Sequence, residues 1–205
     1  MKRPEVVVFD LGKVLVDFDY GIAARRIAAR CPAPAANLKE LIDHSPLLYR
    51  YETGLLTTEE FFQEVCRATG YTGTLLQFIE EFSDIFWPIE PMVHMHAELM
   101  RRGVPTYIFS NTNPLAEAHI RKHFSFFQNF TGYVLSYEHR SMKPDAKIYE
   151  VVEAMTGRCG EAILYMDDRA ENVEAGAQRG WQTILQVSPD TTIGRIRALG
   201  LLGDV

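Results

Sequence analysis

The chain has 205 residues, of which 47% are hydrophobic and 23% charged, and this composition is typical of a globular protein with one sizeable core and, at most, a small accessory domain. The formal net charge of -6 argues against a large basic surface, so we expect no nucleic-acid partner. The three scattered cysteines predict neither a disulfide framework nor a zinc site. The apolar runs are short, so we expect no membrane segment, no membrane partner and a cytoplasmic location.

Apolar runs and helical patterns alternate along most of the chain. The first run, Val6–Phe9, is β-branched and aromatic, as expected for a strand buried on both faces, and it stops at Asp10. Further strand patterns lie at 105–109, 133–135, 162–166 and 182–187, and helical patterns lie at 91–102, 114–123, 145–156 and 170–179. This alternation predicts βαβ units in a doubly wound parallel α/β sheet, which binds ligands at its carboxyl edge.

The stretch from residue 20 to residue 88 breaks this alternation, because it is helical in pattern and poor in strands. Thr57 and Glu60 fit a capping box, and Gly70 fits a helix stop. We therefore predict an α/β core at 1–19 and 89–205 and a small helical cap at 20–88, inserted after the first strand.

Polar side chains follow the predicted strands. Asp10, Ser110, Lys143 and the pair Asp167-Asp168 are predicted to lie at or just after strand ends. Taken singly, each has an ordinary interpretation as a helix cap, a turn or a solvated loop residue. Together they predict one site with three carboxylates, a hydroxyl and a cation.

Such a cluster suits phosphoryl transfer. Carboxylates held close together repel one another unless a cation lies between them, and a divalent ion with oxygen ligands, above all Mg²⁺, fits that need. A carboxylate such as Asp10 is a known nucleophile towards phosphorus. Lys143 would neutralise charge on the transferring oxygens, and Ser110 with backbone N–H groups would hold them.

Four segments resemble motifs of the haloacid dehalogenase-like superfamily, in the order of that family. They are VVFDLGKVL at 7–15, FSNT at 109–112, MKPDAKIY at 142–149 and YMDDRAENVEAG at 165–176. The resemblance spans nearly the whole chain, and the helical insertion lies where the family places its cap. The most similar branch is that of bacterial phosphatases acting on glucose 1-phosphate.

The resemblance implies a role for each matching residue. Asp10 would be nucleophile and metal ligand, with the Gly12 carbonyl and Asp168 as further ligands and Asp167 acting directly or through water. Phosphate would be bound by Ser110, Asn111, Thr112 and Lys143. The implied cofactor is Mg²⁺ and the implied partner a small phosphorylated metabolite, and the oligomeric state is left open.

One position departs from the family pattern. Most of its phosphatases carry an acid–base Asp two residues after the nucleophile, and here that residue is Gly12. Asp17 or Asp19 would substitute for it, or would face solvent or cap a helix instead. In the predicted cap, Arg50, Tyr51 and Glu52 either contact a sugar or lie on solvated surface.

Three alternatives to a Mg²⁺-dependent phosphatase therefore stay open. One is a metal-independent dehalogenase, in which Asp10 attacks carbon. The second is a binding module that lost turnover through Gly12, and the third is a phosphotransferase or mutase.

Overall fold

The computed structural model describes residues 3–32, 38–43 and 45–203. Its main sheet has five parallel strands in the order β5-β4-β1-β6-β7. These strands are β1 Val6–Phe9, β4 Thr106–Ser110, β5 Gly132–Leu135, β6 Ile163–Asp167 and β7 Gln182–Leu185. The predicted doubly wound α/β class is confirmed, and the strands lie within about two residues of their predicted bounds.

Helices cover both faces of the sheet because β1 alternates its side chains between two apolar clusters. Val7 and Phe9 belong to a cluster that includes residues of α6 and α11, whereas Val6 and Val8 belong to one that includes residues of α9. The helices that follow the sheet strands in sequence are α6 Glu90–Arg101, α7 Pro114–His123, α8 Ser136–His139, α9 Ala146–Thr156, α10 Ala170–Gln178 and α11 Pro189–Ala198. Single turns of 3₁₀ helix lie at Ser125–Asn129 and Gly160–Ala162.

Between β1 and α6 the chain forms a helical insertion, by which we mean the described residues from 20 to 83. It comprises α1 Tyr20–Ala28, α2 Leu38–Ile42, α3 Pro46–Glu52, α4 Thr58–Thr69 and α5 Leu75–Ser83. Its aromatic and aliphatic side chains form a third apolar cluster. The predicted division of the chain into a core and a cap stays a prediction.

Local signals within the insertion are confirmed. Thr57 and Glu60 form both hydrogen bonds of the capping box at the start of α4, and Gly70 ends that helix in the left-handed conformation with φ 69°. Only glycine adopts that conformation without a steric cost, which explains why α4 stops there.

Two short strands connect the insertion to the rest of the chain, and the sequence patterns missed both. β2 Val16–Phe18 and β3 Phe86–Pro88 pair antiparallel, with Asp17 opposite Trp87. Three-residue strands that contain Asp and Pro carry little β propensity, so their pairing depends on tertiary structure.

In the described part of the chain, no helix combines the length and the apolar character that a membrane crossing requires.

Candidate active site

Three neighbouring strands, β4, β1 and β6, deliver the predicted polar side chains to one edge of the sheet. Asp10 follows β1 directly, Ser110 ends β4, and Asp167 ends β6 with Asp168 after it. Parallel strands end at the same edge, so their last residues converge. Lys143 reaches this edge from the loop between α8 and α9.

The three carboxylates lie close together. One oxygen each of Asp10, Asp167 and Asp168 lies within 4.8 Å of the others. Asp10 and Asp168 line a pocket of about 820 Å³, whereas Asp167 is fully buried behind them. The convergence of these carboxylates was the central spatial expectation from the sequence.

The Lys143 ammonium lies between two of these carboxylates. Its Nζ is 2.8 Å from Oδ1 of Asp10 and 2.6 Å from Oδ2 of Asp167, and it donates to the backbone oxygen of Phe109 at 2.8 Å. Burial works to lower the pKa of Lys143, but the two carboxylates outweigh it and hold that pKa above its ordinary value. Lys143 is therefore a fixed positive charge in the pocket wall.

Asp167 makes hydrogen bonds through both of its oxygens. Oδ2 accepts from Lys143, Tyr165 and Asn172, and Oδ1 accepts from Asn172 and from the backbone N–H of Arg169. Burial raises its pKa, but these donors, Lys143 foremost, leave the pKa below its ordinary value. A carboxylate offers about four lone pairs, and these bonds use them all. Asp167 therefore stays ionised and holds the Lys143 ammonium in position.

The negative charges of Asp10 and Asp168 are less well balanced by nearby cations and hydrogen-bond donors than that of Asp167. Burial raises the pKa of Asp10 to about 7 even though Lys143 opposes the rise. Burial, with the charge of Asp167, also raises the pKa of Asp168. Three carboxylates face one ammonium, and this excess of two negative charges in an oxygen-rich pocket fits a hard divalent cation such as Mg²⁺.

The predicted phosphate-binding segment lies against this cluster. Ser110 is buried and lines the pocket together with Asn111 and Thr112. The Asn111 side chain binds the backbone of Lys143 twice, donating to its carbonyl at 3.0 Å and accepting from its N–H at 2.8 Å. Asn111 therefore positions Lys143, and direct contacts from Ser110, Asn111 and Thr112 to phosphate stay predictions.

The two aspartates considered as substitutes for the group missing at Gly12 line the same pocket as Asp10, but other groups already engage their carboxylates. Asp17 forms an ion pair with Lys13 and accepts from the backbone N–H of Phe18 at 2.8 Å. Asp19 caps α1 by accepting from the N–H of Gly21 at 2.7 Å, so the helix-cap alternative is confirmed for it.

Residues of the insertion form part of the pocket wall. The sequence left open whether Arg50, Tyr51 and Glu52 contact a ligand or lie on solvated surface. Glu52, at the end of α3, lines the pocket, whereas Tyr51 is buried and Arg50 exposed. Asn113 and Ser136, which lie outside the insertion and contact Glu52, were not among the predicted site residues. No local pattern marks these contacts, because residue 52 is far from residues 113 and 136 in sequence.

Residues 4–180 match the sequence profile of a hydrolase family that is described as haloacid dehalogenase-like hydrolase. Among solved structures, a HAD family enzyme from Bacteroides thetaiotaomicron has a TM-score of 0.78 with 21% sequence identity, over 89% of this chain and 93% of that one. The same enzyme was also solved in complex with magnesium and inorganic phosphate, with a TM-score of 0.77 and 21% identity over 88% and 93% of the two chains.

Two further structures show the same fold. A HAD-like family hydrolase from Porphyromonas gingivalis has a TM-score of 0.80 with 24% identity, over 96% of this chain and 98% of that one. The L-2-haloacid dehalogenase from Xanthobacter autotrophicus has a TM-score of 0.64 with 16% identity, over 95% and 83% of the two chains. At these identities the likeness concerns the fold, and it does not distinguish phosphatase from dehalogenase chemistry.

Proposed function

The chain belongs to the haloacid dehalogenase-like hydrolase family, and from that premise we propose that it is a Mg²⁺-dependent phosphatase. Its substrate in this proposal is a small phosphorylated metabolite, namely a sugar phosphate such as glucose 1-phosphate, and hydrolysis proceeds through an aspartyl phosphate on Asp10. The single observation that carries the proposal is the convergence of three carboxylates around one buried lysine.

Each residue of the cluster has a part in the proposed reaction. A carboxylate oxygen of Asp10 attacks phosphorus, the new O–P bond forms as the ester O–P bond breaks, and the electron pair leaves with the ester oxygen. Lys143 holds Asp10 in place and lowers the electrostatic cost of bringing an anionic phosphate to an anionic nucleophile. Ser110 and the backbone N–H groups of the loop after β4 orient the phosphate oxygens.

In this proposal Asp10, Asp168 and the backbone carbonyl of Gly12 would hold a Mg²⁺ ion, and Asp167 would act through water because its own oxygens accept other hydrogen bonds. When bound, the ion neutralises negative charge on the phosphate and on the carboxylates. The excess negative charge of Asp10 and Asp168 supports this assignment.

The lining of the pocket suits an organic group of modest size next to the phosphate. Tyr49 and Trp87 line it while remaining 53% and 43% exposed, and polar residues such as Asp19 and Asn113 line it as well. Aromatic rings with polar neighbours suit a sugar, which offers both C–H faces and hydroxyls.

The test is release of inorganic phosphate from a panel of sugar phosphates, with Mg²⁺ or with EDTA. We expect release with Mg²⁺, little release with EDTA, and loss of release in Asp10→Asn. Asp190→Asn, which removes an exposed carboxylate at the start of α11, serves as the control and should match the parent.

Two results would overturn the proposal. Failure of the parent protein to release phosphate from any member of the panel would favour the binding-module alternative. Release of halide from a 2-haloacid in the presence of EDTA would favour the dehalogenase alternative instead.

A further inference from the structure

At the position where this family usually carries its acid–base residue, a side chain would fit only if Phe18 moved. A Cβ atom added to Gly12 would lie 2.9 Å from Cε1 of Phe18, closer than Cβ atoms approach other carbons. The Phe18 ring thus fills the space that an aspartate at position 12 would need. If a residue of this chain transfers the proton, it must come from another wall of the pocket.

The carboxylates nearest in sequence do not suit proton donation. Burial works to raise the pKa of Asp17, but hydrogen bonds from Lys13 and Phe18 outweigh it and hold the pKa below its ordinary value. Asp17 is therefore ionised at neutral pH. Asp19 is engaged by the first turn of α1.

Glu52 lines the same pocket as Asp10, and it belongs to the end of α3 in the helical insertion, whereas Asp10 follows β1 at the sheet edge. The Asn113 amide group donates a hydrogen bond to its carboxyl, while the Asn113 oxygen caps α7 by accepting from the N–H of Ala116 at 3.0 Å. Because Asn113 is fixed in this way, the Glu52 carboxyl is held beside the start of α7.

The backbone around Glu52 is also fixed to the core. The Ser136 hydroxyl donates to the Glu52 carbonyl at 2.6 Å and accepts from the N–H of Thr112 at 2.9 Å. Two residues later, Gly54 has φ 65°, and a Cβ there would lie 2.1 Å from the Tyr137 carbonyl. The end of α3 can approach the core this closely only because residue 54 is glycine.

The surroundings of Glu52 bring its pKa close to neutral pH. Burial raises the pKa of Glu52 to about 7, Asp43 and Asp10 add to the rise, and Asn113 and Arg169 oppose it. Among the described residues, Tyr20, Asp43, Arg169 and Asp10 interact electrostatically with Glu52. The same pocket is also lined by the charged residues Lys13, Asp17, Asp19, Lys39, Lys143 and Asp168. A carboxyl that titrates near neutrality both gives and takes a proton readily.

We propose that Glu52 is the general acid and general base of the reaction, in place of the aspartate that is absent at position 12. This assignment rests on the proposed phosphatase function. In the first step, Asp10 attacks phosphorus, the ester O–P bond breaks, and Glu52 gives its proton to the departing oxygen. The products of this step are an alcohol, the aspartyl phosphate and ionised Glu52.

In the second step, ionised Glu52 takes a proton from a water molecule as the water oxygen attacks phosphorus. The bond between phosphorus and Asp10 breaks and its electron pair returns to the carboxylate. Inorganic phosphate leaves, and Glu52 is again protonated, so protons and electrons balance over the cycle.

The test compares the parent protein with Glu52→Gln on two substrates, a sugar phosphate that the parent hydrolyses and 4-nitrophenyl phosphate. The departing 4-nitrophenolate needs no proton, whereas a sugar alkoxide does. For the sugar phosphate, kcat/KM should fall about 10²–10⁴-fold, the usual value of acid–base assistance. For 4-nitrophenyl phosphate, kcat/KM should change little, but kcat should fall and a burst of nitrophenolate should appear because the aspartyl phosphate accumulates.

The pH profile gives a second measurement. With the sugar phosphate, kcat/KM of the parent should decline as the pH rises through about 7 and Glu52 loses its proton. Glu52→Gln should lack this decline, and Glu52→Asp should retain part of the activity. Glu59→Gln, an exposed glutamate of α4, serves as the matched control and should behave as the parent.

The assignment is overturned if Glu52→Gln hydrolyses the sugar phosphate at the parental rate, or if its kcat/KM falls by the same factor for both substrates. It is also overturned if kcat/KM of Glu52→Gln still declines as the pH rises through about 7. A parent protein that releases no phosphate overturns the proposed function itself, so the two failures are distinguishable. If Asp17→Asn rather than Glu52→Gln shows the selective loss, the acid is Asp17.

Discussion

Replacing Lys143 by methionine should destabilise the protein much more than replacing an exposed lysine. The Lys143 side chain is only 1% exposed, and its Nζ lies 2.8 Å from Asp10 and 2.6 Å from Asp167. At an effective dielectric constant of about 20, unit charges at such distances attract each other by about 6 kcal/mol. Desolvation offsets much of this, so the relevant quantity is the cost of leaving buried carboxylates without their cation, about 3–5 kcal/mol.

Methionine retains most of the volume of lysine, so packing against Phe109 and Tyr165 persists and the loss is electrostatic. The assay is urea unfolding in EDTA at pH 8, followed by tryptophan fluorescence. With an m-value of about 1–3 kcal/mol/M, a loss of about 3–5 kcal/mol should lower the midpoint by about 1–5 M. Lys13→Met is the control, because the Lys13–Asp17 pair has side chains 44% and 37% exposed and should contribute at most about 1 kcal/mol.

The effect of pH on this variant has a definite sign. Without the ammonium, the pKa values of Asp10 and Asp167 rise in the folded state, so the folded variant binds more protons than the unfolded chain above pH 4 or so. Its stability therefore falls as the pH rises, and its deficit relative to the parent should be smaller at pH 5 than at pH 8. A midpoint shift no larger than that of Lys13→Met, or a deficit that grows on acidification, would refute this reasoning.

Three further predictions follow from contacts at the site. Gly12→Asp should lower the free energy of unfolding by about 1–3 kcal/mol through its clash with Phe18, and adding Phe18→Ala should recover part of the loss; an unchanged urea midpoint in the single variant contradicts this. Asn111→Ala removes two hydrogen bonds to the backbone of Lys143, so it should lower the free energy of urea unfolding by about 1–3 kcal/mol and kcat by at least about tenfold. Turnover at the parental rate contradicts the positioning role of Asn111. Mg²⁺ at about 100 times its dissociation constant should stabilise the parent by about 2.7 kcal/mol in thermal denaturation, whereas Asp168→Asn at the same Mg²⁺ concentration should gain less; equal gains contradict metal binding by Asp168.

The sheet was predictable because its strands are apolar runs that end at polar residues. Val6–Phe9 was predicted with the bounds that the structure has, and Asp10, Ser110 and Asp167 were expected at one sheet edge because parallel strands share that edge. The pattern of buried runs therefore contains enough information for the fold class and for the convergence of the carboxylates.

The Glu52 side of the pocket was not predictable in this way. Its position depends on how the insertion packs against the rest of the chain, and single contacts such as those of Asn113 and Ser136 fix this packing. Likewise, the sequence shows that residue 12 is glycine but does not show that Phe18 occupies the adjacent space. Such contacts between distant residues leave no periodic signal.

The central place of β1 in the sheet has a consequence for biosynthesis. The strand that leads to Asp10 is made first, but its neighbours β4 and β6 begin only at Thr106 and Ile163. At about 5–20 residues per second, roughly 8–30 s pass on the ribosome before both partners exist. During that interval the apolar, β-branched segment Val6–Phe9 has no native strand beside it, so we expect the nascent chain to depend on chaperones until β6 has emerged.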